Sequence, residues 1–514
     1  MSQKNVLKGN GPEAPGQEAN GADPQARYDK RNLTMYPMGT IGRDMVYCLI
    51  SNFLLTYILF TKQLSGGQLA AITAIMAGAR VFDALNDPIM GNIIERTRTR
   101  YGKFKPWLVI GIISSGFVVS AIFNTRLDGW NFIVFFGIAY ILFSITYTMH
   151  DISYWGMVPA LSSDANRRNQ LTSRATLMAG IGGTLASMLI PLLTAGEHAI
   201  GKSAAASYGI VAIIVCILSP LFLAFTVFGA HERRDDMQEA APPFSFKKLV
   251  KTISQNDQLM WVSLTFLLQE TGSGLVIGGL GATYIYFAFG YRGGLYSIFS
   301  TVGVSATAFL MIFYPAISRR IHRKPLMKLL AIAAGIGYAI MILSGILLPG
   351  GMGKFWLVTI GYTLSMFGQY GYYLILMISI INTVEYNEYR FGTRDEAIIT
   401  SLRPFLTKLS SAFVVILTTG SYAIFKATDF MNGISGYEQQ AELGTITETE
   451  KLSLIESLLT GVRSYQSVGL LLCMTLLPYA LLLLSYFIYK KHYKLDEEEY
   501  DRICAELKDR KKKN

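Results

Sequence analysis

QLAAITAIMAGARVFDALNDPIMG, residues 68–91, is an apolar stretch that contains two aspartates, Asp83 and Asp87. The run from Gln68 to Gly78 is apolar enough to enter a bilayer, which predicts a membrane-spanning helix. The aspartates are four residues apart, so on a helix their carboxylates share one face. Because like charges in an apolar wall repel each other and lose hydration, each is costly unless something compensates it. A bound cation is the simplest compensation, and the pair is the first candidate site.

The rest of the chain has the same apolar character. Of its 514 residues, 51% are hydrophobic and 16% are charged, whereas about 25% are charged in soluble proteins. Apolar blocks of about 20 residues recur, each long enough to cross a hydrocarbon core of about 30 Å. The composition predicts an all-α polytopic membrane protein. The twelve predicted transmembrane helices are 37–61, 68–95, 106–125, 131–161, 171–195, 206–230, 258–289, 293–318, 326–349, 354–385, 396–425 and 464–490.

A charged central segment divides these spans into two groups of six. Equivalent basic turns follow spans two and eight, which indicates two parallel repeats and the major facilitator fold, with a site expected between the halves. The predicted units are a disordered cytosolic leader 1–31, an N-terminal six-helix bundle 32–230, a cytosolic central loop 231–257, a C-terminal six-helix bundle 258–492 with a polar insert 426–463, and a charged cytosolic tail 493–514.

The basic residues also predict the orientation. The net charge of +11 is concentrated in the short turns between even-numbered and odd-numbered spans and in the tail. Such turns are usually cytoplasmic, so we expect a multi-pass cell-membrane protein with both termini in the cytoplasm. This pattern does not suggest nucleic-acid binding. The sequence also shows no nucleophile–base set, metal-ligand histidine cluster or phosphate-binding glycine loop, so we expect no enzyme activity and no cofactor apart from a coupling cation.

Further polar groups lie inside the predicted spans. They are Arg43 and Asp44 in span one, Thr148, Asp151 and Trp155 in span four, Arg174 in span five and Lys408 in span eleven. Carboxylates and a threonine hydroxyl suit Na⁺ or another small cation. Carboxylates, an arginine and an indole face suit a polyhydroxylated sugar. Together these groups predict a sugar pathway coupled to a cation.

Other interpretations of the same residues stay open at this point. Asp87 precedes Pro88, so it could simply cap a helix break. Asp151 could form a structural ion pair with Arg174, and Lys408 could be a structural counter-ion for the aspartates. Arg43 and Asp44 point about 100° apart on a helix, so they need not pair with each other. The glycines of span seven fit a bend or close helix packing.

Three segments carry a specific resemblance: 80–91, 98–107 and 147–155. With Gly42-Arg43-Asp44 and Lys408, they resemble the glycoside–pentoside–hexuronide:cation symporters of the major facilitator superfamily, from about residue 30 onward. The resemblance implies a cation site of Asp83, Asp87 and Thr148, where Asp83 and Asp87 would ligate Na⁺ if sodium is the coupling ion. It implies a sugar site of Arg43, Asp44, Asp151, Trp155 and Arg174, with Lys408 coupling the two sites.

Some positions depart from the pattern of that family. Arg43 stands where a lysine is usual in its best-known member, and Tyr373 where that member has a tryptophan, so the sugar-site walls differ while the cation residues are kept. We therefore expect a monomeric secondary transporter in the bilayer that carries a glycoside with Na⁺ or H⁺ by alternating access. The alternatives are transport of an amphipathic lipid on the same fold and sugar uniport without a cation.

Overall fold

The structure is a computed structural model that describes residues 24–162, 164–232, 246–318, 320–393 and 395–513. The described chain is almost entirely helical. The N-terminal half consists of α1 (Pro24–Cys48), a π-helical turn (Leu49–Phe53), α2 (Leu54–Thr61), α3 (Gly66–Arg96), α4 (Lys105–Asn124), α5 (Gly129–Gly156), α6 (Val158–Leu161), α7 (Ala165–Thr194) and α8 (Ala204–Gly229).

The C-terminal half begins after a short amphipathic helix and ends in a helical tail. Its elements are α9 (Phe246–Gln255), α10 (Asp257–Leu275), a second π-helical turn (Val276–Leu280), α11 (Gly281–Phe289), α12 (Gly293–Ser318), α13 (Arg323–Leu347), α14 (Met352–Phe391), α15 (Glu396–Ile424), α16 (Ala427–Glu442), α17 (Glu448–Thr460), α18 (Ser464–His492) and α19 (Glu497–Lys513).

Eleven of the twelve predicted spans coincide with a helix or with a helix interrupted by a π-helical turn, and the span 131–161 is divided between α5 and α6, which are separated at Met157. Of the described helices, 10 are long and apolar enough to cross a membrane, or up to 11 if α3, which bends by 42° between Asp83 and Asn86, counts as one span. The all-α polytopic fold is therefore confirmed.

The boundaries outside the spans differ from the prediction. Helix α1 begins at Pro24, inside the predicted leader, whose first 23 residues lie outside the described ones. Helix α9 occupies part of the predicted central loop, of which 233–245 also lie outside the described residues. The polar insert is a hairpin of α16 and α17, and the charged tail is the helix α19. Amphipathic or capped sequences form these helices, and span hydropathy alone does not detect them.

The two π-helical turns lie at equivalent places in the two halves, in spans one and seven, and they pack against each other. In the second turn, Gly279 has φ 132°. A Cβ at Gly279 would lie 2.9 Å from the Tyr422 hydroxyl, so both its backbone conformation and its contact favour glycine. Of the two interpretations of the span-seven glycines, the bend is present at Gly279, and close helix packing is present at Gly278, where a Cβ would lie 2.6 Å from Val414 Cγ1.

The halves meet through α3 with α15, α7 with α12, and α2 with α16. We call the end of the bundle that carries α16 and α17 the outer end, and the opposite end, with α9 and α19, the inner end. At the outer end the Gly293 backbone N–H donates to the Ala195 carbonyl at 3.1 Å. A Cβ at Gly293 would lie 1.9 Å from the Pro191 carbonyl oxygen. The outer ends of the halves are thus in direct backbone contact.

Candidate functional site

Asp83 lies on α3 and is 5% exposed. Its Oδ1 accepts a hydrogen bond from the Ser144 hydroxyl on α5. Its Oδ2 lies 3.6 Å from Arg80 Nη1, one helical turn earlier, and the Arg80 guanidinium lies 5.9 Å from the centroid of the Tyr140 ring. Asp83, which was expected to need a compensating charge, therefore has a cationic partner on its own helix, Arg80.

Asp87 connects the two halves. Its Oδ1 accepts from Thr148 Oγ1 on α5 at 3.2 Å, and its Oδ2 pairs with the Lys408 ammonium on α15. The side chains of Asp87 and Lys408 are 30% and 24% exposed, so both are more accessible than Asp83. The predicted neighbours Thr148 and Lys408 therefore contact the two oxygens of one carboxylate.

A second polar cluster centres on Arg43. Its guanidinium lies 2.7 Å from Asp44 Oδ2 and 3.2 Å from Asp151 Oδ1 on α5. The same group lies 5.0 Å from the centroid of the Trp155 ring and 5.3 Å from that of Tyr154. Arg43 and Asp44 therefore do form an ion pair, because the long arginine side chain reaches both carboxylates despite the angle between neighbouring residues.

Arg174 lies apart from this cluster. Its Nη1 donates to the Leu33 carbonyl at 3.1 Å, near the inner end of α1. Among the described residues, Asp151 pairs with Arg43 and forms no ion pair with Arg174. The alternative of a structural Asp151–Arg174 pair is wrong for this arrangement, because Asp151 pairs with Arg43 and the Arg174 guanidinium donates to the Leu33 carbonyl instead.

Tyr373 lies in the C-terminal half on α14. Its ring stacks on Tyr370, with centroids 5.3 Å apart, and lies 5.7 Å from Phe266. Arg403 on α15 interacts with Tyr373 and with Glu270 on α10. A third group of hydrogen-bonding side chains thus belongs to the half that does not contain Arg43.

Sequence reasoning missed Arg80, Ser144 and Arg403 as parts of these clusters. Two of them carried a periodicity signal. Arg80 is three residues before Asp83, and Ser144 is four residues before Thr148 on the same helix, so each shares a face with a residue that was identified. Arg403 had no such relation, because its partners lie on other helices.

The arrangement offers hard oxygen ligands and separate hydrogen-bonding groups. Carboxylate and hydroxyl oxygens on α3 and α5 can bind a small cation. The Arg43 cluster presents an arginine, two carboxylates and an indole, which match the donors, acceptors and C–H face of a sugar. Both sets include residues of α5, so an ion at one set and a sugar at the other would contact the same helix.

Similarity to known proteins was found at both the sequence and the structure level. A lactose permease of Leuconostoc lactis is 30% identical over 403 residues, which are 74% of this chain and 60% of that permease. A raffinose carrier protein of Pediococcus pentosaceus is 27% identical over 493 residues, which are 92% of this chain and 70% of that carrier. The chain thus spans about two thirds of the length of these relatives.

A solved structure of a D-xylose-proton symporter superposes with a TM-score of 0.56 at 14% identity, covering 90% of this chain and 98% of the symporter. At that identity the likeness concerns the fold alone, and it is the fold that the six-plus-six pattern predicted. The profile of the family described as MFS/sugar transport protein matches residues 35–497, and the chain belongs to this family.

Proposed function

We propose that this protein is a secondary transporter that carries a glycoside together with Na⁺ or H⁺ by alternating access. The observation that carries the proposal is Asp87, whose oxygens contact Thr148 in the same half and Lys408 in the other half. The relatives named lactose permease and raffinose carrier support a sugar as the substrate.

The Lys408–Asp87 pair suggests how a cation is coupled to movement. A cation that binds Asp87 and Thr148 competes with the Lys408 ammonium for the same carboxylate, since two positive charges at one oxygen repel each other. Because Lys408 belongs to α15 of the C-terminal half, cation binding loosens one contact between the halves. Cation occupancy and the relative position of the halves are then linked, and by reciprocity the linkage acts in both directions.

The sugar site of this proposal is built around Arg43. Asp44 and Asp151 hold the guanidinium from two sides, which orients its remaining donors toward a ligand and leaves the carboxylate oxygens as acceptors. Trp155 lies beside this group. In this proposal Tyr373 forms part of the wall in the opposite half. The resemblance adds Arg174, but in this arrangement its guanidinium lies apart from the Arg43 cluster and donates to the Leu33 carbonyl.

The proposal also includes the setting of the protein. Its many apolar helices make it a multi-pass membrane protein. We place it in the cell membrane as a monomer. We expect both termini to lie in the cytoplasm, because the basic turns lie at the end that carries the tail.

The test is uptake into proteoliposomes of radiolabelled α- and β-galactosides, pentosides and glucuronides, with and without sodium and at two pH values. We expect one class to accumulate against its gradient only when a sodium or proton gradient is present. Asp83→Cys should abolish accumulation and retain some sugar binding, whereas Asp151→Ala should abolish sugar binding.

Two results would contradict parts of this proposal. Uptake that equilibrates the sugar without depending on either gradient would identify a uniporter. Flipping of a fluorescent phospholipid, with no uptake across the sugar panel, would instead identify a lipid transporter.

A further inference from the structure

The insert between α15 and α18 contacts the opposite half of the protein. Helices α16 and α17 pack against each other as a hairpin, and α16 also packs along α2. The chain joins this hairpin to α15 and α18, so it belongs covalently to the C-terminal half, whereas α2 belongs to the N-terminal half. The hairpin therefore bridges the halves at the outer end.

Polar contacts tie α16 to the turn between α2 and α3. Asn432 forms two hydrogen bonds with the backbone of Leu64: its Oδ1 accepts from the N–H at 2.9 Å, and its Nδ2 donates to the carbonyl at 2.9 Å. Gln439 donates to the Thr61 carbonyl at 3.3 Å and accepts from the Gln63 amide at 3.3 Å. Such paired side-chain-to-backbone bonds specify one register between α16 and the turn.

A second group of contacts ties the hairpin to the turn between α7 and α8. Glu438 and Lys451 form an ion pair whose side chains are 2% and 1% exposed. Glu438 Oε2 also accepts from the Ala204 N–H at 2.7 Å, and Lys451 donates to the Lys202 carbonyl at 3.4 Å. Nearby, the Ser203 hydroxyl donates to Glu442 at 3.1 Å.

This ion pair depends on the N-terminal half. Buried charges are tolerated when their remaining hydrogen-bonding capacity is satisfied, and here backbone groups of the 202–204 turn supply part of it. If the halves separate at the outer end, Glu438 and Lys451 lose these partners and become hydrated. The contacts are therefore specific to the arrangement in which the outer end is closed.

We propose that the hairpin 427–460 is an outer latch, which holds the outer ends of the two halves together and sets how often the transporter opens on that side. The residues that act are Asn432 and Gln439, which hold the α2–α3 turn, and Glu438 with Lys451, which hold the α7–α8 turn. The latch lies away from the cation and sugar residues, and it acts on the conformational equilibrium.

The experiment measures the separation of the outer ends by spin-label distances in nanodiscs. Labels are attached at Leu127→Cys in the N-terminal half and Gly350→Cys in the C-terminal half, in a protein whose four native cysteines are replaced by alanine. Leu127 is 41% exposed, and a Cβ at Gly350 meets no atom within 4 Å. The latch is weakened by Asn432→Ala with Gln439→Ala, at two positions that are not fully buried.

We expect the weakened latch to raise the population of a longer distance by about fivefold or more, since each lost hydrogen bond contributes a modest net free energy. Glu438→Gln should act in the same direction. The matched control is Gln440→Ala, an exposed neighbour on the same helix, which should leave the distances unchanged. An unchanged or shortened distance in the weakened latch, or an equal shift in the control, would overturn the proposal.

Discussion

At the scale of single residues, the pairing of Asp83 differs from that of Asp87. Asp83 is deeply buried and its partners Arg80 and Ser144 lie in its own half. Asp87 is more exposed and its cationic partner lies in the other half. A charge whose partner comes from the opposite half responds to the relative position of the halves, whereas a charge paired on its own helix does not. Asp87 is therefore the better placed of the two to link ion binding to movement.

The Arg80–Asp83 pair predicts a thermodynamic coupling. Asp83→Asn leaves Arg80, whose side chain is 12% exposed, without its counter-charge, and removing one partner of a buried ion pair costs about 3–5 kcal/mol. We expect a clear fall in the thermal midpoint of the purified protein. The double variant Arg80→Met with Asp83→Asn should recover much of it, because both charges are then gone. If the loss in the double variant equalled the sum of the losses in Arg80→Met and in Asp83→Asn, the two side chains would not be coupled and the pair would not stabilise the fold.

At the scale of elements, the tail helix α19 is held to the inner end by charges. Lys324 lies 3.0 Å from Asp496 Oδ2, and this contact lowers the pKa of Asp496. Burial acts to raise the pKa of Glu497, but hydrogen bonds from the Arg323 backbone and its positive charge outweigh burial, and the net shift is downward. Both carboxyl groups thus favour the ionised form when the tail is docked.

These shifts predict loosening of the tail in acid. A carboxyl group with a lowered folded-state pKa stabilises the docked tail above its unfolded pKa of about 4, and that stabilisation is lost as the pH falls below this value. A nitroxide label at Asp509→Cys, in the cysteine-replaced protein, should become more mobile between pH 6 and about pH 3. The contribution is small because the side chains of Asp496 and Lys324 are 39% and 43% exposed, and solvent screens the pair. Asp496→Asn should reduce the change in label mobility between pH 6 and about pH 3. A mobility change of unchanged size would contradict the role of Asp496 in holding the tail.

At the scale of the whole molecule, the backbone contact at Gly293 and the outer latch close the same end. The Gly293 N–H bonds to Ala195 across the halves, in a space that a side chain at position 293 would fill. Closure therefore depends on both a bare backbone and a polar hairpin. The Gly293 contact and the hairpin lie in different segments, and both act on the equilibrium between the closed and the open outer end.

Substitution at Gly293 should open the outer end. Gly293→Ala places a methyl group against the backbone of Pro191 and Ala195, neither of which can rotate away. We expect the Leu127–Gly350 label distance to lengthen. Gly294→Ala is the matched control, since its Cβ would meet Leu192 at an ordinary 3.6 Å. If the Leu127–Gly350 label distance in Gly293→Ala stayed as short as in the parent protein, the contact at this glycine would not limit closure.

The sequence by itself determined the membrane class, the positions of the spans and the presence of buried charges. Transfer of an apolar segment into lipid is a property of that segment, so it can be read without knowing what lies beside it. The same reasoning located Asp83 and Asp87, and the resemblance pointed to Thr148 and Lys408, both of which contact Asp87 in the fold.

Only the tertiary structure decided which charges meet. It paired Asp151 with Arg43 instead of Arg174, Asp83 with Arg80, and the insert with the opposite half. Partners on different spans are brought together by helix packing, rotation and tilt, which depend on contacts distributed over the whole bundle. The position of each charge within its span can therefore be read from the local sequence, whereas the partner that compensates it is set by the assembled fold.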